Sequence, residues 1–262
     1  METTGKTEIS GQTPAPAHHL KIYIAELPSD SRPEPAGKRK TAKAESALAR
    51  ELSKRALLDY LRDKSAQDTQ GQDRKPEDDP AIEGTLQEVR SEGGKPFFPD
   101  YPEFHYNISH SGGIVICGTL LSEPANGEAP HSGIVSEPIG IDIQKIPDHP
   151  KQVLGIADHF FSHEEKESLH KLSDTGKEDD TKAALLLFTR YWTARESYMK
   201  LTGRGLRESF RSFRPDLEAG QILPGTTDES SAGGIYLTEC QAPEGFCITA
   251  CTYKVPGTTK FL

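Results

Sequence analysis

Four residues in two short segments have the types and spacing to handle a metal ion and a phosphate. Asp142 and Gln144 lie in GIDIQ at 140–144, and Glu196 and Lys200 lie in WTARESYMKLTGRGL at 192–206. If the first segment is extended, Asp142 and Gln144 share one face while Ile141 and Ile143 point to the other, a polar face over an apolar one. If the second is helical, Trp192, Glu196 and Lys200 align at four-residue intervals, with the carboxylate and the ammonium one turn apart. Where such a strand meets such a helix, the carboxylates can converge on a divalent metal beside a phosphorylated ligand. Taken singly, each segment also has a plain reading, as a strand-end aspartate and as a solvated Glu/Lys pair.

Order along the chain sharpens this. GKP at 94–96, NISHSG at 107–112, PIGIDIQ at 138–144, FFSHEE at 160–165 and FTRYWTARESYMKLTGRGL at 188–206 follow one another. This succession resembles the 4'-phosphopantetheinyl transferase superfamily in its surfactin-type, single-chain branch. The likeness is strong over 94–213, weaker over the C-terminal strands and nearly absent before Lys43. It implies an α+β fold of two similar lobes related by a pseudo-twofold, with coenzyme A in the cleft between them. It further implies a Mg-dependent transfer of the 4'-phosphopantetheine arm of coenzyme A to a serine hydroxyl of an apo acyl or peptidyl carrier protein, a holo-[acyl-carrier-protein] synthase activity that releases adenosine 3',5'-bisphosphate.

Carried over residue by residue, the resemblance makes Asp142 and Glu196 metal carboxylates and Glu196 the base for the serine, directly or through water. Lys200, His110, Ser109 and Lys95 become the groups that contact phosphates. Gln144 stands where bacterial members usually carry Glu; its amide oxygen can still coordinate Mg, or hold a water that does, so weaker metal binding is expected. Arg195 stands where many relatives carry Lys, which leaves open a phosphate contact through a guanidinium fork.

The elements that must position these groups are partly readable. Residues 20–26 read as a strand. A helix is expected from about Lys43, with Leu48, Leu52, Ala56, Leu57, Tyr60 and Leu61 on its apolar side, and 64–79 read as a flexible insertion. Residues 113–121 form a buried strand after a turn at NISHSG. Ser162 and Glu165 form a capping box for a helix. A second helix is expected over 182–201, burying Leu185, Phe188, Trp192 and Met199 and stopped by Gly203 and Gly205. Residues 235–240 and 245–253 alternate as an antiparallel pair. The expected divisions are a disordered leader over 1–19, an N-terminal lobe over 20–130 and a C-terminal lobe with the metal site over 131–262.

The 262 residues suffice for one large or two modest cores. No apolar run is long enough to span a bilayer, and the first residues lack the order of a secretory signal. Four cysteines show no CxxC or zinc spacing, and Cys247 and Cys251 on one strand would be about 13 Å apart; reduced thiols and a cytoplasmic location are expected. A net charge of -9 argues against nucleic-acid binding. The basic clusters Lys38, Arg39, Lys40, Lys43 and Arg190, Arg195, Arg204, Arg207, Arg211, Arg214 suit docking of an acidic carrier protein. One chain carrying both halves of the cleft points to a monomer. Two other classes stay open: a noncatalytic module that binds coenzyme A or a carrier protein, and a metal-dependent phosphodiester enzyme using the same Asp/Glu pair.

Overall fold

The computed structural model describes residues 17–28, 38–68, 86–123, 133–203, 210, 212–224 and 234–262. Strand β1 (His18–Glu26) is followed by helix α1 (Lys38–Asp68), the short strands β2 (Val89–Arg90) and β3 (Pro96–Phe97), then β4 (Asn107–Ser111), β5 (Ile114–Ser122), β6 (Val135–Glu137) and β7 (Ile139–Lys145). Three helices come next: α2 (Pro150–Phe160), α3 (His163–Ser173) and α4 (Glu178–Thr202). The chain closes with β8 (Phe213–Asp216), β9 (Gln221–Pro224), β10 (Tyr236–Cys240), β11 (Phe246–Thr252) and β12 (Thr258–Phe261). The class is α+β. One sheet runs β12-β1-β5-β4, with β6 on β5, and the other runs β7-β11-β10-β9-β8.

Strand β5 shows how the two sheets are held. All nine of its residues are buried, and alternate side chains enter different cores. Val115, Cys117 and Leu121 pack with Tyr23, Leu52, Ala56 and Leu57 under α1. Ile114, Ile116 and Leu120 face Ile139, Ile141, Ile143 and Ile248 of the other sheet. A near-continuous apolar run is what burial on both faces demands. Helix α4 covers the outer face of the second sheet, with Ala194, Tyr198, Met199 and Leu201 packing on Phe213, Ile222, Leu237 and Cys251.

Several elements differ from their expected form. The expected turn at NISHSG is strand β4, and the turn itself is Gly112–Gly113, with φ of +57° and +85°. Two successive positive φ values are what a tight two-residue hairpin needs, and glycine supplies them without strain. Helix α1 begins at Lys38 and continues through Asp68, into the segment expected to be an insertion. Polarity alone does not end a helix, and 64–68 contain no glycine or proline to do so; the rest of that segment, 69–79, lies outside the described residues. Strand β1 starts at His18, inside the expected leader, with His18 Nδ1 at 2.7 Å from Ser122 Oγ and His19 Nδ1 at 2.7 Å from Thr258 Oγ1. Residues 1–16 of that leader lie outside the description, as does Gly205.

Helix α2 has no counterpart in the expected elements. Its signals are a proline in the first turn and the buried pair Val153 and Ala157, which pack on Phe161, Leu169 and Phe188. The capping box of α3 is present, with Ser162 and Glu165 each accepting from the other's backbone N–H. Helix α4 starts at Glu178, four residues earlier than the apolar pattern suggests, because Glu178, Asp179 and Asp180 suit the positive end of a helix. Gly203, with φ of +67°, ends it and donates its N–H to Met199 O. Sheet membership does not follow chain order: β6 and β12, both beyond residue 131, join the first sheet, with β12 parallel to β1.

Candidate active site

The contact between β4 and β7 builds the site. One edge of β7 pairs with β11, and its other edge meets the side chains of β4. Asn107 Oδ1 accepts from Ile141 N (3.2 Å), Ser109 Oγ from Ile143 N (3.3 Å) and Ser111 Oγ from Lys145 N (3.0 Å). Three polar residues at every second position thus satisfy three backbone donors at every second position, as the two-residue period of both strands allows. Register is fixed, and Ser109 comes to rest against Asp142.

Helix α4 is brought to β7 from the other side. A Cβ at Gly140 would lie 1.9 Å from Ser197 O and 2.4 Å from Leu201 N, so only glycine lets the helix backbone approach this closely. Farther along, Thr193 Oγ1 and Thr249 Oγ1 are 2.9 Å apart, and Arg190 makes two 2.6 Å hydrogen bonds to Glu239. Lys200 therefore reaches β7: its Nζ donates to Asp142 Oδ1 (2.6 Å), Ser109 Oγ (2.8 Å) and Ile141 O (3.1 Å). Ser109 Oγ in turn donates to Asp142 Oδ1 at 2.6 Å, and Gln144 Nε2 donates to Asp142 Oδ2 at 3.1 Å.

Asp142 is 1% exposed, and all of its recorded donors are side chains of this cluster. Glu196, one turn before Lys200, is half-buried, and its carboxyl is raised above the usual range first by burial and then by the charge of Asp142, with Lys200 opposing. The two carboxylates therefore sense each other.

These groups sit beside a cavity of about 370 Å³ whose wall includes Ser46 and Arg50 from α1, Arg90 and Lys95 from the β2–β3 hairpin, His110 from β4, and Glu196 and Lys200 from α4. Of the residues proposed from sequence, Lys95, His110, Glu196 and Lys200 line it, whereas Asp142, Gln144 and Ser109 are not among its lining residues. Ser109 turns its hydroxyl to Asp142, away from the cavity. Lys95 is a half-buried ammonium without a carboxylate partner among the described residues, and burial lowers its pKa. His110 Nδ1 lies 3.3 Å from Glu45 Oε2.

Gln144 presents its amide nitrogen to Asp142, while its Oε1 accepts from Ser111 Oγ at 3.5 Å. Arg195 is fully buried on the opposite side of α4. It donates to Glu165 Oε2 (2.5 Å), Phe210 O (2.6 Å) and Phe213 O (3.1 Å) and lies over the rings of Phe161 and Phe213. A phosphate contact by Arg195 is thereby ruled out. Its guanidinium locks α4 to α3 and β8, a role a lysine's point charge could not fill. Sequence reading did not anticipate Glu45, whose only signal was an acid among the basic residues at the start of α1.

The donor set can be weighed for a divalent cation. The two carboxylates are hard oxygen donors, whereas Gln144 turns its amide nitrogen, not its oxygen, to Asp142, and among the described residues no group of three His, Cys, Asp or Glu forms a closed metal cage. Few protein ligands completed by water or phosphate oxygens is the habit of Mg rather than of zinc or a caged calcium. Burial first, and then the charge of Asp142, raise Glu196; a cation would relieve the second of these, so the residues fit such an ion, with Lys200 now holding the Asp142 oxygen it would need.

The chain is also similar to known proteins. Residues 138–251 match the family model of the 4'-phosphopantetheinyl transferase superfamily. The chain is 33% identical over 162 residues to 4'-phosphopantetheinyl transferase Sfp of Bacillus subtilis (strain 168), covering 61% of this chain and 60% of that protein. It is 35% identical over 133 residues to 4'-phosphopantetheinyl transferase ffp of Bacillus subtilis, covering 50% and 48%. It is 28% identical over 163 residues to 4'-phosphopantetheinyl transferase gsp of Aneurinibacillus migulanus, covering 62% and 56%. The chain thus spans about half to three fifths of the length of these relatives. Its resemblance to the 4'-phosphopantetheinyl transferase superfamily, in the surfactin-type branch, is shown by these matches.

Proposed function

We propose that the protein transfers the 4'-phosphopantetheine arm of coenzyme A to a serine hydroxyl of an apo acyl or peptidyl carrier protein, with adenosine 3',5'-bisphosphate as the second product. The observation that carries this reading is the junction of Asp142, Lys200 and Glu196 beside a cavity lined by further cations. The relatives' names support the coarser part of this reading, 4'-phosphopantetheinyl transfer. In that reading the halves built on α1 and α4 correspond to two related lobes, and coenzyme A occupies the cavity between them.

The serine Oγ forms a bond to the phosphorus that bears the pantetheine arm. The bond from that phosphorus to the bridging oxygen breaks, and the electron pair leaves with the adenosine bisphosphate. Glu196 receives the serine proton, directly or through a water. Lys200 neutralises charge that builds on the phosphoryl oxygens, and Lys95 and His110 grip the rest of the pyrophosphate. Asp142 and Glu196, with Gln144 beside them, would hold Mg, which when bound supplies charge neutralisation to the pyrophosphate. Ser109 keeps Asp142 oriented.

The test is to incubate the enzyme with Mg, coenzyme A and an apo carrier protein and follow the carrier by mass spectrometry. The expected result is addition of one phosphopantetheine group, lost with Glu196→Gln. A binding module would leave coenzyme A intact and the carrier unmodified. A phosphodiester enzyme would cleave coenzyme A with no carrier present.

A further inference from the structure

We propose that Glu45 is a positioning residue for His110, and that this carboxylate–imidazole pair tunes the grip on coenzyme A; the inference rests on the function proposed above. Glu45 lies on α1 and is only 9% exposed, yet its recorded contact is the 3.3 Å approach of its Oε2 to His110 Nδ1. The Glu45 carboxylate is largely buried while the imidazole beside it is about half exposed, so His110 Nδ1 is the polar group that meets this carboxylate at the cavity. His110 itself points out of β4 on the face opposite Ser109 and lines the cavity. With Nδ1 committed to Glu45, the ring has one nitrogen left, Nε2, to offer a ligand. A carboxylate behind an imidazole fixes both its tautomer and its orientation.

The same segment of α1 supplies Ser46, Ala49 and Arg50 to the cavity wall. Glu45 therefore ties the position of that wall to the position of the histidine. The charged groups that share this cavity are Arg50, Glu88, Arg90, Lys95, Glu196 and Lys200. Among them, none has a recorded ion pair with His110, which makes Glu45 the group that sets its ring.

The experiment is a double-mutant cycle on the full chain. Coenzyme A affinity is read by isothermal titration calorimetry in Mg, and kcat and KM for coenzyme A by carrier modification. Glu45→Ala is expected to weaken coenzyme A binding about tenfold, with kcat changed less than about threefold, the size of one charge-assisted hydrogen bond lost from ligand binding. His110→Ala should do the same, and the double variant should be no worse than His110→Ala alone. Glu45→Asp should recover most of the affinity. If instead the two losses multiply, or Glu45→Ala lowers the melting temperature while coenzyme A affinity holds, Glu45 only staples α1 to β4 and the inference fails. Absence of carrier modification with coenzyme A binding intact would sink the proposed reaction and leave this inference standing. Absence of coenzyme A binding by the parent protein would sink both.

Discussion

Lys200 holds Asp142 through a 2.6 Å contact, and that ammonium competes with any cation for the same oxygen. Replacing Lys200 with Met removes the competitor and leaves a buried carboxylate held only by Ser109 and Gln144. Metal-free Lys200→Met should therefore melt below the parent protein, Mg should raise its melting temperature more than it raises the parent's, and transfer should fall by about 100-fold or more. Thermal melts with and without Mg check this; an equal Mg effect in both proteins would place the metal elsewhere. Gln144→Glu acts on the metal in the same sense, by adding a negative charge rather than removing a positive one. It sets a second carboxylate against Asp142 Oδ2, a repulsion of about 4 kcal/mol at 4 Å and an effective dielectric of 20 before solvent relaxation, which a divalent cation would turn to attraction. The Mg concentration for half-maximal transfer should drop, and an unchanged Mg titration would put this side chain outside the coordination shell.

Among the elements, α4 depends most on a contact remote from the chemistry. Arg195 is buried and paired with an equally buried Glu165. Arg195→Met leaves that carboxylate and the carbonyls of Phe210 and Phe213 without their donor, a loss of about 3 to 5 kcal/mol. A urea melt should show it as a lower midpoint, while kcat per folded molecule at low temperature stays within about threefold of the parent. A larger loss of kcat without loss of stability would return Arg195 to the active site. At this scale the legible and illegible parts separate cleanly. The alternation of Asp142 and Gln144 was readable, because a strand's period is local, and the four-residue spacing of Glu196 and Lys200 was readable for the same reason. Asn107, Ser109 and Ser111, by contrast, were expected in a turn and form a strand instead. The fate of Arg195 was not, since its partners lie 15 to 30 residues away and nothing in its neighbours announces burial. Helix α2 was missed because, among its residues whose burial is described, only Val153 and Ala157 are fully buried, too few for a clear period. Gly140 could be seen as a glycine, but the helix that requires its missing side chain could not.

At the level of the whole molecule, an acidic chain with a net charge of -9 gathers cations at one cavity. Lys95 carries part of the cost. Burial lowers its pKa from 10.5, so the folded state releases this proton before the unfolded chain does. Between the lowered value and 10.5 the unfolded chain binds more protons, and stability rises with pH across that window; below it, at neutral pH, the full penalty is present. Lys95→Met should therefore raise the melting temperature at pH 7 and flatten the alkaline rise, and it should weaken coenzyme A binding. Melts from pH 7 to 10.5 read the first two effects, and unchanged curves would mean that the ammonium is solvated in the folded protein. The α+β class and the order of its motifs were legible from sequence. That β6 and β12 would complete the first sheet was not, because pairing a last strand with a first is decided by the unsatisfied edge it covers rather than by its own residues.

The central claim is that Asp142 and Glu196 share one divalent cation while coenzyme A fills the adjoining cavity. It is tested most directly by crystals grown with coenzyme A and Mn, with the metal located by anomalous scattering. The account predicts one peak about 2 Å from oxygens of both carboxylates and of a coenzyme A phosphate, with Lys200 withdrawn from Asp142. A peak bound by neither carboxylate, or coenzyme A seated away from Lys95 and His110, would contradict it.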